Sequence, residues 1–142
     1  MIAFWVPGIP APGGSKKVFV INGKARLVDA AGQRNKDWRS AVALACRVAY
    51  QGKPLAGPLR VTMTFYMPRP KSHYGKNGLR ASAPDYPTTR PDTLKLARST
   101  EDALTGIAWD DDAQTVVLEL MKLYSDAQAG ADIQVEEVVK GE

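Results

Sequence analysis

The chain has 142 residues and a formal net charge of +4, a length that suits one domain able to bury most of its apolar surface without staples. Its ordinary apolar and charged fractions exclude wholesale disorder, and its single cysteine, Cys46, excludes an internal disulfide and points to a reducing, cytoplasmic setting. No apolar run is long enough to span a membrane, and the opening MIAFWVPGIP is too short and too proline-interrupted for a signal peptide.

Residues 2–6 (IAFWV) read as a strand ended by the turn signal Pro7-Gly8. Val18 to Ile21 and Ala25 to Val28 flank Asn22-Gly23, a strong hairpin signal. A helix is expected from Asn35, as N-cap, to Tyr50, with Trp38, Ala41, Val42, Ala45 and Ala49 at helical spacing. Gly52-Lys53-Pro54 ends it. Leu59 to Met67 (LRVTMTFYM) is a strand rich in β-branched and aromatic residues. Pro68 to Arg90 has prolines, glycines and no periodic apolar face, so a flexible basic loop is expected there. A second helix should open at Pro91 and run to Thr105, stopped by Gly106. Asp110-Asp111-Asp112 forms a turn before a strand from Thr115 to Tyr124, and a weaker strand covers Ile133 to Val138. This order predicts a single α+β domain over residues 1–142: a mixed sheet with two main helices on one face.

The charge is unevenly placed. Lys16, Lys17, Lys24 and Arg26 bunch near the N-terminus, and Arg69, Lys71, Lys76, Arg80 and Arg90 lie in the central loop. Carboxylates gather at Asp92, at Glu101-Asp102 and at 110–112. Cations that hold phosphates around carboxylates that hold a metal are what a metal-dependent nuclease needs. Adjacent aspartates repel one another unless solvated or bound to cations, and their hard oxygens suit Mg²⁺ or Mn²⁺. Taken alone, a solvated acidic turn is the favoured reading of the three aspartates.

The segment RPDTLKLARSTEDALTGIAWDDDAQTV resembles the signature of RusA-family Holliday junction resolvases. Pro91-Asp92, Leu96, Arg98, Asp102-Ala103-Leu104, Gly106, Trp109, Asp111-Asp112 and Gln114 fall in register with it without a gap. VPGIPAPGGSKK and PRPKSHYGKNG are similar to stretches of longer phage and actinobacterial members. The resemblance implies a homodimeric endonuclease that cuts branched DNA, such as a four-way junction, by paired nicks. It implies metal ligation by Asp92 and Asp112, with Asp111 beside them, and Mg²⁺ as cofactor with Mn²⁺ as its substitute. Metal-activated water would attack the phosphodiester. Arg98 falls on the family's essential basic position, where it would stabilise developing charge or position the phosphate.

One position departs from the pattern: the family's second aspartate falls on Leu94, which binds no metal. Leu94 shares a helical face with Arg98, Glu101 and Thr105, while Leu96, Ala97, Thr100, Ala103, Leu104 and Ile107 form the expected buried stripe. Glu101 is a candidate replacement ligand, returning to the face of Leu94 within about 20°. It stands about 10.5 Å further along the helix, however, so it would approach the cluster from the side of Asp112. An ion pair with Arg98 at i−3 explains Glu101 equally well. Asp102 is about 15 Å along the helix from Asp92, too far to share its metal, and a structural hydrogen bond is expected.

Lys16 and Lys17 are candidate DNA contacts, with a solvated turn as the alternative, and Arg69, Lys71, Lys76, Arg80 and Arg90 are candidate DNA contacts of the central loop. His73 is a phosphate contact or solvated filler, and Trp5, Trp38 and Trp109 are expected in the core. Two further readings stay open: a branched-DNA-binding protein that retains the fold without cutting, and a basic interaction module whose acidic turn is surface.

Overall fold

The computed structural model describes residues 1–13, 16–29 and 32–141. Strand β1 (Ile2–Pro7) is followed by a hairpin of β2 (Lys16–Ile21) and β3 (Lys24–Asp29), then helix α1 (Gly32–Ala49) and strand β4 (Leu59–Met67). After a long connection with a short hairpin, β5 (Tyr74–Gly75) and β6 (Gly78–Leu79), come helix α2 (Thr93–Leu104), β7 (Thr115–Tyr124) and β8 (Gly130–Glu137). The main sheet has the order β1-β8-β4-β7; β4 pairs with β7 in parallel and with β8 antiparallel, and β8 pairs antiparallel with β1. It is a mixed sheet in an α+β domain.

The strict alternation of β4 explains how the layers form. Leu59, Val61, Met63, Phe65 and Met67 are buried, while Arg60, Thr62, Thr64 and Tyr66 are only partly covered. The buried set meets Ile133 and Val135 of β8, Trp38, Val42 and Cys46 of α1, and Leu96, Ala97 and Leu104 of α2 in one core. Asp132 and Gln134, which alternate with those β8 residues, are exposed, so both helices cover the same face. Burial pushes the Cys46 thiol up to about 11, against a smaller lowering by Arg47, which keeps it protonated in that core.

Several expected boundaries move. Helix α1 starts at Gly32, and Asn35 is not its cap but a buried residue inside it. The Asn35 amide donates to the Pro12 carbonyl at 2.8 Å and to Ser99 Oγ at 2.9 Å, so a tertiary tether claims the group that local capping would use. Gly13 is drawn into the same tether: a Cβ there would sit 3.1 Å from Ser99 Cβ. Ser99 joins the buried stripe of α2, whereas Ala103 and Ile107 are only half-buried.

Pro91 is not the first helical residue. It follows a cis peptide after Arg90, and Asp92 is the N-cap. Strand β8 begins three residues before the expected Ile133, because Gly130 passes beneath the Trp5 ring, where a Cβ would collide with that ring and with the Val6 carbonyl. Trp5 itself lies outside the core, 36% exposed and tilted on Tyr66 with ring centroids 5.7 Å apart. Nor is the connection from 68 to 90 without structure: a 3₁₀ turn at Lys71–His73 precedes the β5–β6 hairpin.

Candidate functional site

Asp112 is the most firmly oriented carboxylate. Its Oδ1 accepts from Thr105 Oγ1 at 2.5 Å and from the indole Nε1 of Trp109 at 2.9 Å. Trp109 is fully buried, so its ring is both core filler and a fixed donor. Asp111 caps the 3₁₀ turn Asp112–Gln114, its Oδ1 accepting from the Ala113 amide at 2.8 Å. Gln114 completes the capping box. Its Oε1 accepts from the Asp110 and Asp111 amides, and its Nε2 donates to the Leu55 and Gly57 carbonyls. The acidic turn is thereby riveted to the segment before β4.

Glu101 joins this end of the site. Burial first, then the nearby charges of Asp112 and Asp102, push its carboxyl up to about 7, with Arg98 acting in the opposite direction as the smallest influence. Glu101 therefore senses Asp112 more strongly than Arg98. An added cation would relieve that crowding of negative charge.

Asp92 stands at the other end. It caps α2 through its backbone, with its carbonyl accepting from the Leu96 amide at 3.1 Å, but its exposed carboxylate makes no capping bond. The approach to it is clamped from β7: Lys122 Nζ donates to the Thr89 and Pro91 carbonyls at 2.9 and 2.8 Å. Two lengths separate Asp92 from Asp112. Along α2, the thirteen residues from Asp92 to Thr105 rise about 20 Å. Along β7, the seven residues from Thr115 to Lys122 rise about 23 Å.

Asp92 and Asp112 thus cannot ligate one ion within one chain. Consistently, no group of three or more His, Cys, Asp or Glu residues among the described ones is close enough to hold a metal. Leu94, at the family's second aspartate position, is 71% exposed beside Asp92. Arg98 is exposed on the middle of α2.

The loop cations divide into two kinds. Arg69 is engaged within the fold: it donates to the Pro84 carbonyl at 2.7 Å, lies 4.2 Å over the Tyr124 ring and contacts His73 Nδ1 at 3.3 Å. His73 also meets Tyr124 edge-on, so it is part of this anchor. Arg80 donates to the Tyr74 carbonyl at 3.2 Å. Lys71, Lys76 and Arg90 are exposed. Lys16 and Lys17 lie in β2, and their side chains fall outside the described residues. Sequence reasoning assigned no role to Thr105 or Gln114 and gave Trp109 only a packing one. A hydroxyl at a helix end followed by Trp-Asp-Asp-Asp-x-Gln was the available signal.

No helix among the described residues is long and apolar enough to cross a membrane. The family model described as "Endodeoxyribonuclease RusA" matches residues 9–136. The chain is also 32% identical over 143 residues to "Uncharacterized protein YqaN" of Bacillus subtilis (strain 168), covering 96% of each.

Proposed function

This chain belongs to the RusA endodeoxyribonuclease family, and from that premise we propose that it is a homodimeric, divalent-cation-dependent nuclease that resolves four-way DNA junctions, or related branched DNA, by paired nicks in the cytoplasm. The observation that carries the reading is Asp112, aimed by Thr105 and Trp109 and crowded by Glu101 at one end of α2, with the uncapped carboxylate of Asp92 at the other.

The distance between those two ends gives the dimer its chemical purpose. A two-fold axis beside α2 and β7 reverses both elements in the second copy, so Asp92 of one protomer comes to the end that holds Asp112 of its partner. Strand β7 is an edge of the sheet and exposes Val116, Leu118 and Met121, an apolar edge suited to such a neighbour. Asp92 from one copy, with Asp112, Asp111 and Glu101 from the other, supplies oxygen donors of the hardness Mg²⁺ or Mn²⁺ prefers. A divalent cation bound there would activate water and offset charge at the cleaved phosphodiester. Arg98 lies between the two ends and holds a phosphate oxygen. Lys71, Lys76 and Arg90, with Lys16 and Lys17, hold the arms, while Arg69 and Arg80 shape the loop that presents them.

The second reading, a junction-binding protein that does not cut, draws on Leu94 in place of an aspartate. An end-labelled four-way junction incubated with Mg²⁺ or Mn²⁺ separates the two. Symmetric nicks in opposed strands are expected; binding with no nick under either metal supports the non-cutting protein.

A further inference from the structure

Beside the Asp92 end of α2, a groove of about 700 Å³ opens between the segment after β1, the start of α1 and the two ends of the 68–90 connection. That is within the range of small-ligand sites, about 300–1,000 Å³. Ile9, Ala41 and Met67 line it with apolar surface, and Arg34, Asp37 and Arg90 place charges around it. Pro91 also lines it, so the groove ends one residue from Asp92.

This lining suits one kind of occupant. An apolar wall favours a flat, weakly hydrated ring over a phosphate, while Arg34 and Arg90 are suited to the phosphates on either side of such a ring. Asp37, whose Oδ1 accepts from Gln33 Nε2 at 2.8 Å, repels a phosphate but can accept from the exocyclic amine of a base. Ile9 is 62% exposed, an apolar side chain left in water beside the groove. Apolar residues so placed serve as wedges between base steps. Bases at a branch point open more readily than those inside an arm, because each closes the end of a helical arm, and extrusion costs only a few kcal/mol.

We propose that this groove receives an unpaired nucleobase extruded at the branch point, with Ile9 as the wedge and Arg34 and Arg90 on the flanking phosphates, so that the adjoining phosphodiester is carried toward Asp92. The inference rests on the nuclease reading above and adds a base-binding subsite to it.

The test uses a four-way junction with 2-aminopurine at one branch-point position, and a short single strand with the same base, each with Ca²⁺ in place of Mg²⁺ and enough protein to bind all the probe. Wild type should brighten 2-aminopurine at least threefold and cut its acrylamide quenching at least twofold. Ala41→Phe, which fills the groove, should abolish the shielding. So should Ile9→Asp, an exposed substitution that guards against misfolding of the first variant. If wild type binds the junction in Ca²⁺ without shielding the base and nicks the same junction once Mg²⁺ is supplied, or a folded variant shields the base fully, the groove proposal is overturned while the nuclease reading stands. Should no junction be bound or cut, shielding of the single strand by wild type but not by the variants still supports the groove. No shielding of either probe overturns it.

Discussion

Replacing Glu101 by glutamine tests the electrostatics of the Asp112 end without a large change of shape. The Glu101 carboxyl is raised from 4.5 to about 7, chiefly by burial and then by Asp112 and Asp102. Such a rise is equivalent to about 3 kcal/mol between its two protonation states. Glu101 is only half-buried, and screening by water reduces this to about 1–2 kcal/mol. Because the folded value lies above the unfolded one, the folded chain holds the extra proton between about pH 4.5 and 7, and stability falls as pH rises through that window. Glutamine has no proton to lose. Parent and Glu101→Gln should therefore melt together near pH 4, diverge between pH 4.5 and 7, and above pH 7 differ by roughly 3–8 °C in favour of the variant. Thermal unfolding by circular dichroism in metal-free buffer reads this directly. Added Mn²⁺ should then raise the parent's Tm more than the variant's. A constant offset at every pH, or a variant that melts lower above pH 7, would show that Glu101 does not carry the extra proton in the folded chain.

Thr105→Val removes the hydroxyl whose single proton is shared between Asp112 Oδ1 and the Glu101 carbonyl; single-turnover junction cleavage should slow about 10–100-fold, with junction affinity by gel shift unchanged. Leu94→Asp puts a carboxylate on an exposed position two residues from Asp92. It should lower the Mg²⁺ concentration for half-maximal cleavage several-fold and change stability by no more than about 0.5 kcal/mol, as metal titration and urea unfolding would show.

Where a local pattern decides structure, the sequence was readable. The period-2 alternation of β4 matches its burial residue by residue, and Asn22-Gly23 adopts the two positive φ angles, 51° and 75°, that its hairpin turn requires. Where a distant partner decides, it was not. Asn35 has the chemistry of a cap, but Pro12 and Ser99 claim its amide. Trp5 has the chemistry of the core, yet its alternation in β1 puts it on the open face against Tyr66. The same distinction governs the site. Rise per residue already separates Asp102 from Asp92 in the sequence, and it equally separates the two ends of α2. The Thr105–Asp112 hydrogen bond, with the Gly106 amide donating to the Trp109 carbonyl, folds the acidic turn onto the far end. Read as a motif, Asp92 and Asp112 belong to one cluster; in the folded chain they stand at opposite ends of α2, with about 20 Å of helical rise between Asp92 and Thr105.

Because of that separation, subunit mixing tests whether each cleavage site is shared between two copies of the chain. Asp92→Asn and Asp112→Asn, each alone, should bind a four-way junction and fail to nick it. Unfolded together and refolded at equal concentration, they form heterodimers in which one site carries both substitutions and the other carries neither. The mixture should regain nicking, with about half of the dimers active at one of two sites. A mixture that exchanges subunits, as tagged copies would verify, yet remains as inactive as its parents would contradict such sharing, since that is the behaviour of sites built within single chains.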